Sequence, residues 1–359
     1  MKRDDFHKKP FDGGTILKLE ILTKYLDEWF PVFLHQAQIR RINIFDFQCG
    51  PGHDVNGIEG SPFRIVRALE KATLASPDYR GSVDIFFNDV SKEKVDQLAS
   101  SLSDNVAHRM GKIHFSVSAF EDCFTNCAPI MKQYGTANFL FIDPTGLVRV
   151  EWMIEQLSML KFTDFLIFIP SSDLYRFNKK DEFQSFFPGL EFEGSLIDAS
   201  KEICNYLRTK LLTSDQKYYL AQFAIRKNRA ARINSLIFGS RSLLGLNKFL
   251  TVAWDKSPNG EANYDMCGDM LCSKQRVLPF MDKNPRKIEW LLGAVRGLVL
   301  DRTLRTNRDA VEFCLINGFL PAHGKDALRV LKQVGILKKV PPMSYGSVFK
   351  ANKVEPIVT

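Results

Sequence analysis

The chain has 359 residues, 45% apolar and 25% charged, the balance of an ordinary globular protein with room for two domains. No apolar run approaches the ~20 residues that cross a bilayer, and the charged start, Met1 to Pro10, lacks the apolar core of a signal peptide; a cytoplasmic protein with no membrane contact is expected. The net charge of +8 favours a polyanionic partner, DNA or RNA, with a solvated basic face as the plain alternative. Basic residues are densest at Arg226 to Arg232 and from Lys283 to Arg308. The seven cysteines are scattered and odd in number, which argues for free thiols over a disulfide framework, and their spacings are not those of a metal site.

In chain order, residues 1–14 read as a lid or as loosely structured chain. From Thr15 to Phe33, Ile16, Leu19, Leu22, Tyr25, Leu26 and Trp29 form a helical stripe, which Pro31 ends or bends. Ile42 to Phe47 is a buried strand that runs into a turn rich in glycine, with Asp46, Gln48, Gly50, Pro51 and Gly52. Pro62 to Leu74 is a helix with Ser61 as its expected N-cap. Further strands are expected at 83–87, 113–117, 137–142 and 165–169, with helices at 91–102 and 150–160. A helix near Ser200 to Leu211 follows a mixed stretch. Strands at 219–225 and 233–238, joined by a basic turn, would close the sheet as a hairpin, and Leu243 to Trp254 is a helix packed on it.

These elements divide the chain into a helical segment at 1–40, an α/β domain at 41–255 with a helical insertion near 172–215, a linker at 256–284 and a C-terminal domain at 285–359. In the last of these, helices at 287–301, 307–316 and 321–334 precede two short strands at 336–339 and 347–353, the order of a winged helix.

Five alternations of strand and helix predict a mostly parallel sheet covered on both faces. Ligands of such sheets sit at the C-terminal strand ends, so Asp46, Asp89, the segment 118–122, Asp143 and Ser171 should converge on one edge. A strand, a glycine turn and a helix is the build of a nucleotide-cofactor site. At that edge Asp89 can accept both ribose hydroxyls of a nucleoside. Phe120 can cover the base or belong to the core, and Asp122 can take an exocyclic amine. Asp143, Pro144, Thr145 and Gly146 form a strand-end turn whose carboxylate and carbonyls can orient an amine. No phosphate-binding Lys or third glycine follows Gly52, which disfavours other nucleotide-using enzymes.

The pattern Asp46-x-x-x-Gly50-x-Gly52 resembles the first motif of the S-adenosylmethionine-dependent methyltransferases of Rossmann-like fold. In that family the glycines pass under the methionine part of the cofactor. Taken with Thr15-x-x-Lys18, Gly60-Ser61-Pro62, the Asp89 strand end and Asp143-Pro144-Thr145-Gly146, the sequence resembles the three-Cys-motif partner proteins. The resemblance implies a class I methyltransferase fold with an antiparallel hairpin at the edge, S-adenosylmethionine as cofactor and a separate three-Cys-motif protein as partner. Asp-Pro-Phe-Gly also occurs in tRNA guanine dimethyltransferases, which makes a nucleic-acid base amine the expected substrate. Here Thr145 replaces the usual Phe, and Gln48 and Cys49 replace small residues of the family turn. The other expectation is therefore a non-catalytic nucleic-acid-binding or scaffold component of a bacterial defence or mobile-element operon.

Overall fold

Asp12 starts the first helix, α1 (Gly13–Leu34), by accepting the Thr15 amide on its carboxylate at 2.7 Å. The helix continues through Pro31 to Leu34. The computed structural model describes residues 9–103, 111–144, 149–194, 196, 198–211, 218–226, 233–256, 263–265 and 287–358.

The five expected strand–helix alternations form β1 (Arg41–Asp46), α2 (Ser61–Leu74), β2 (Ser82–Asp89), α3 (Lys92–Ser103), β3 (Ile113–Val117), α4 (Phe120–Met131), β4 (Thr136–Ile142), α5 (Val150–Ser158) and β5 (Thr163–Ile169). Helix α4 is not legible in the sequence: its N-terminal residue Ala119 offers no capping side chain and Pro129 sits in its last turn. Three helices follow, α6 (Ser171–Phe177), α7 (Asp181–Phe186) and α8 (Ala199–Leu211). The hairpin is β6 (Tyr219–Arg226) and β7 (Ile233–Ser240), and α9 (Leu243–Lys256) comes next. The basic turn at 227–232 lies outside the described residues, as do 257–262 and 266–286 of the expected linker. Within that linker, β8 (Asn263–Asp265) adds a short strand parallel to β6.

The sheet order is β3-β2-β1-β4-β5-β7-β6-β8. Strands β1 to β5 are mutually parallel and β7 is antiparallel to both β5 and β6. This is a Rossmann-like order, with its switch point where β1 lies between β2 and β4. Alternate side chains feed two cores. Ile42, Ile44, Phe139, Phe141, Leu166 and Phe238 face the core under α1, α2 and α9. Phe45, Phe47, Leu140, Ile142, Phe165 and Ile237 face the core under α4, α5 and α8. No helix among the described residues is long and apolar enough to cross a membrane.

The C-terminal segment holds three helices, α10 (Lys287–Leu300), α11 (Asn307–Ile316) and α12 (Pro321–Gln333). They share the α1/α9 core through Leu291, Val295, Val311 and Leu328. The Trp254 indole on α9 donates to the Gly318 carbonyl at 3.0 Å. The two strands expected at 336–339 and 347–353 do not form; a π-helical turn, Gly346–Lys350, occupies part of the second. Asn307, the first residue of α11, is fully buried. Its carboxamide donates to the carbonyls of Pro342 (2.7 Å) and Lys353 (2.9 Å) and accepts the Glu355 amide (2.9 Å). Three backbone groups of the chain after α12 are thus satisfied by one side chain, and Pro341 and Pro342 bring no amide to a ladder. In place of the two expected strands, the three helices are followed by a strap that Asn307 clamps on α11 and that bridges Thr306 through Pro356.

Replacing Asn307 by Leu leaves three backbone groups without partners. A loss of about 2–4 kcal/mol in unfolding free energy is expected, with the chain after residue 340 becoming the first site of protease cleavage; urea denaturation and limited proteolysis measure both.

Candidate functional site

Register places the acidic residues. Asp46 at the end of β1 lies opposite Phe87 of β2 and Phe141 of β4. Asp89 and Asp143 each stand two residues beyond those partners, so the two carboxylates flank Asp46 at the C-terminal edge. The intervening turn needs left-handed backbone at Gly50 (φ 63°) and Gly52 (φ 95°), which glycine adopts without strain. A Cβ on Gly52 would lie 2.7 Å from the Phe63 ring and 2.9 Å from Leu98. Gly52 thus also serves a close approach to α2 and α3, and its carbonyl accepts the Gly60 amide at 2.7 Å.

Asp89 is 8% exposed and anchors the turn. Its Oδ2 accepts the Gly50 amide at 3.2 Å and its Oδ1 the Ser91 amide at 2.9 Å. A carboxylate has about four acceptor positions, so each oxygen keeps capacity for another donor. Beside it, the Asn88 amide group donates to the carbonyls of Phe47 and Ser118, both at 3.0 Å, tying the ends of β1, β2 and β3 together.

Asp46 has no solvent exposure, and its Oδ2 is buried without a hydrogen-bond partner. Burial pushes its pKa up to about 7, the Ser61 hydroxyl beside it pulls the other way, and the neighbouring Asp143 charge adds to the rise. Lys18 of α1 enters this acidic pocket. Its ammonium pairs with Asp143 Oδ2 and lies 4.5 Å from the centre of the Phe168 ring. The Lys18 side chain is 7% exposed and that of Asp143 26%, so the pair is open on the carboxylate side only. The Gln48 side chain accepts the Asp143 amide at 3.0 Å, bridging the glycine turn to the end of β4.

The structure therefore brings Asp46, Gln48, Gly50, Gly52, Asp89, Asp143 and Pro144 to one edge. Thr145 and Gly146 lie outside the described residues. Phe120 opens α4, and its ring turns into the core, edge-on to Phe47 at 5.2 Å and 8% exposed. Asp122 is exposed in the first turn of the same helix. Ser171 is fully buried and pairs with the Ser235 hydroxyl of β7, a structural contact away from the turn. Ser61 does not cap α2: Gly60 holds that position. The segment before α1 is held at Phe11, whose amide donates to Asp54 Oδ2 at 2.8 Å.

Lys18 was not among the expected site residues, yet its signal was legible. Positions 18, 22, 25 and 29 share one helix face, and Lys18 is the cation on a stripe otherwise made of Leu22, Tyr25 and Trp29. A lysine there must either reach water or find a buried anion. The described cysteines Cys49, Cys123, Cys127, Cys204 and Cys314 are free and buried, and burial raises the Cys49 thiol far above its ordinary pKa.

No family model matches the chain, and no curated protein matches it. Among solved structures it is similar to Trm1 from Pyrococcus horikoshii in complex with S-adenosyl-L-methionine, at 11% identity and TM-score 0.40 over 64% of this chain and 56% of that one. It is similar to an S-adenosylmethionine-dependent methyltransferase from Agrobacterium tumefaciens at 9% identity and TM-score 0.33, over 61% of each chain. A methyltransferase of the same cofactor class from Methanosarcina mazei aligns at 12% identity and TM-score 0.30, over 57% of this chain and 93% of that one. The first two matches span under two thirds of the neighbours' own length. None of these likenesses assigns a role to a residue.

Lys18→Met leaves Asp143 without its cation. Because Asp143 is partly hydrated, a loss of about 1–3 kcal/mol in unfolding free energy is expected at neutral pH, measured by urea denaturation. Asp46 titrates higher in the folded chain than in the unfolded one, so its stabilising share is complete below about pH 4 and is lost as pH rises through about 7. Urea midpoints of the wild type should fall between about pH 5 and about pH 8 more steeply than those of Asp46→Asn.

Proposed function

We propose that the chain is an S-adenosylmethionine-dependent methyltransferase acting on a base amine of nucleic acid. The observation that carries this reading is the buried, unpartnered Asp46 Oδ2 at the switch point of the sheet, with Asp89 and Asp143 on either side. An orphaned buried acceptor calls for a donor from a ligand, and the methionyl ammonium of the cofactor is a donor of fitting charge. Asp89 keeps acceptor capacity for the two ribose hydroxyls. The left-handed turn at Gly50 and Gly52 keeps side chains out of the space between them. These residues fit the cofactor, which when bound would supply an electrophilic methyl group on a sulfonium.

Asp143, with carboxylate surface exposed beside Lys18, would accept an N–H of the target amine and hold its lone pair in line. Methyl transfer needs chiefly alignment and exclusion of water. Pro144 fixes the backbone after Asp143, and Thr145 and Gly146 belong to the same proposed turn. Gln48 would hold that turn by its contact with the Asp143 amide. The net charge of +8 supports a polyanionic substrate, whose affinity would fall with salt. Phe120, by its burial, contributes packing under the site, and Asp122 is left as an outlying contact to the base or the substrate. A three-Cys-motif protein is the proposed partner, resting on the sequence resemblance.

A second reading, a non-catalytic nucleic-acid-binding or scaffold component, is favoured by one contact: Lys18 already occupies Asp143 Oδ2 and brings a cation to a pocket meant for a cationic cofactor. Calorimetry with S-adenosylmethionine separates the two. The enzyme reading expects micromolar binding weakened at least about thirtyfold by Asp89→Ala, about 2 kcal/mol, and labelled-methyl transfer to tRNA, rRNA or DNA, measured with and without the partner. Absence of cofactor binding by the wild type overturns it in favour of the scaffold, and transfer to protein alone overturns the base amine.

A further inference from the structure

Most of the chain's positive charge sits on its last stretch. Residues 287–359, about a fifth of the sequence, hold twelve Lys and Arg against six Asp and Glu, which accounts for most of the net charge of +8. Two of its helices are joined by a short turn: α11 ends at Ile316, and α12 starts at Pro321. Gly318 takes φ 79° in that turn, and its carbonyl accepts the Trp254 indole N–H, which fixes the turn to α9. His323 Nδ1 accepts the Leu320 amide at 3.2 Å and so holds the start of α12. Gly324 lets α12 close on α11, since a Cβ there would collide with the Cys314 sulfur. Helix α10 packs on the pair, with Trp290 stacked on Phe313 of α11. Two helices closely packed across a short glycine turn are the build of a helix–turn–helix.

The two sides of α12 differ. Ala327, Leu328 and Leu331 are buried in the core. Ala322, Lys325, Arg329 and Lys332, three or four positions apart, share another face, and all four are exposed. Among the described residues, Lys325 and Lys332 have no hydrogen-bond or ion-pair partner. Arg329 has the exposed Asp326 within its own helix, a pair that contributes little. The basic surface continues past Gly335. The Lys338 amide donates to the Val358 carbonyl at 3.1 Å, and the Ile357 amide donates to the Arg305 carbonyl at 2.8 Å. These bonds gather exposed Lys338 and Lys339 and exposed Arg302 and Arg305 at one corner, beyond the end of α12.

We propose that this surface binds duplex DNA, with the Ala322, Lys325, Arg329 and Lys332 face of α12 in the major groove and the corner at Arg302, Arg305, Lys338 and Lys339 on the flanking phosphates. The B-form major groove, about 12 Å wide, admits an α-helix. The A-form groove of duplex RNA is too deep and narrow for side chains to read. Ala322, small and at the start of the helix, lets base edges come close. Arg329 offers parallel N–H groups that suit a guanine edge, and the lysines displace counterions from the backbone. The surface stands on residues separate from the cofactor proposal. Binding is measured without S-adenosylmethionine, so the failure of either proposal leaves the other standing.

Fluorescence anisotropy with a labelled DNA duplex of about 30 base pairs tests this on the full chain, with micromolar binding expected at about 50 mM salt and a linear fall of log affinity with log salt. The variant Lys325→Ala/Arg329→Ala/Lys332→Ala should lower affinity at least about tenfold and reduce that slope by about 2–3. Alanine favours the helix, and an unchanged thermal midpoint checks the fold. Ala322→Glu, which removes no cation, should also weaken binding at least about tenfold. Lys132→Ala/Lys161→Ala, at exposed positions before β4 and β5, should change it by less than about twofold. An RNA duplex of equal length should bind at least about fivefold more weakly. No DNA binding at about 100 μM, an unchanged slope in the triple variant, an equal loss in the Lys132/Lys161 variant, equal affinity for the RNA duplex, or binding to phosphatidylserine vesicles in place of DNA overturns the proposal.

Discussion

The parallel register of β2, β1 and β4 is the constraint on which the site depends. Shifting one strand by a single residue would turn its whole set of side chains to the other face. A buried polar row at the start of the strands opposes that slip. The Asn43 amide donates to Asn138 Oδ1 at 3.1 Å, and the Asn138 amide donates to Thr163 Oγ1 at 3.1 Å and to the Met131 carbonyl at 3.0 Å. Each of these groups would be costly to bury without its partner. The row at one end of the strands thus keeps Asp46 and Asp143 level at the other, and the Asn88 amide group ties the end of β2, with Asp89, to β1.

Electrostatics at that end are unbalanced by design of the sequence. Three carboxylates meet one buried cation, and the imbalance falls on Asp46, whose second oxygen has no partner. The protein holds a site that is unsatisfied on its own, and this is the physical basis for reading it as a place for a cationic ligand.

Helix α1 ties the two edges of the sheet to each other. Lys18 reaches the C-terminal edge, and Tyr25 and Trp29, on the same helix face, reach Asp164 at the other, about 10–17 Å further along the axis. Both edges carry a buried carboxylate with a pKa raised by burial, about 7 for Asp46 and about 6 for Asp164.

The sequence by itself determined the alternation of strands and helices, the two-sided core and the carboxylates at the strand ends. Those features follow from periods of 2 and 3.6 and from turn chemistry, all of which act over a few residues. Only the tertiary structure decided which of those residues meet. Lys18 finds Asp143 across 125 positions, Asn307 satisfies carbonyls 35 and 46 positions away, and Phe120 enters the core because an unforeseen helix begins there. Such contacts depend on how whole elements pack. A buried charge or amide selects its partner from distant backbone and side chains once water is excluded, and no local pattern records that choice.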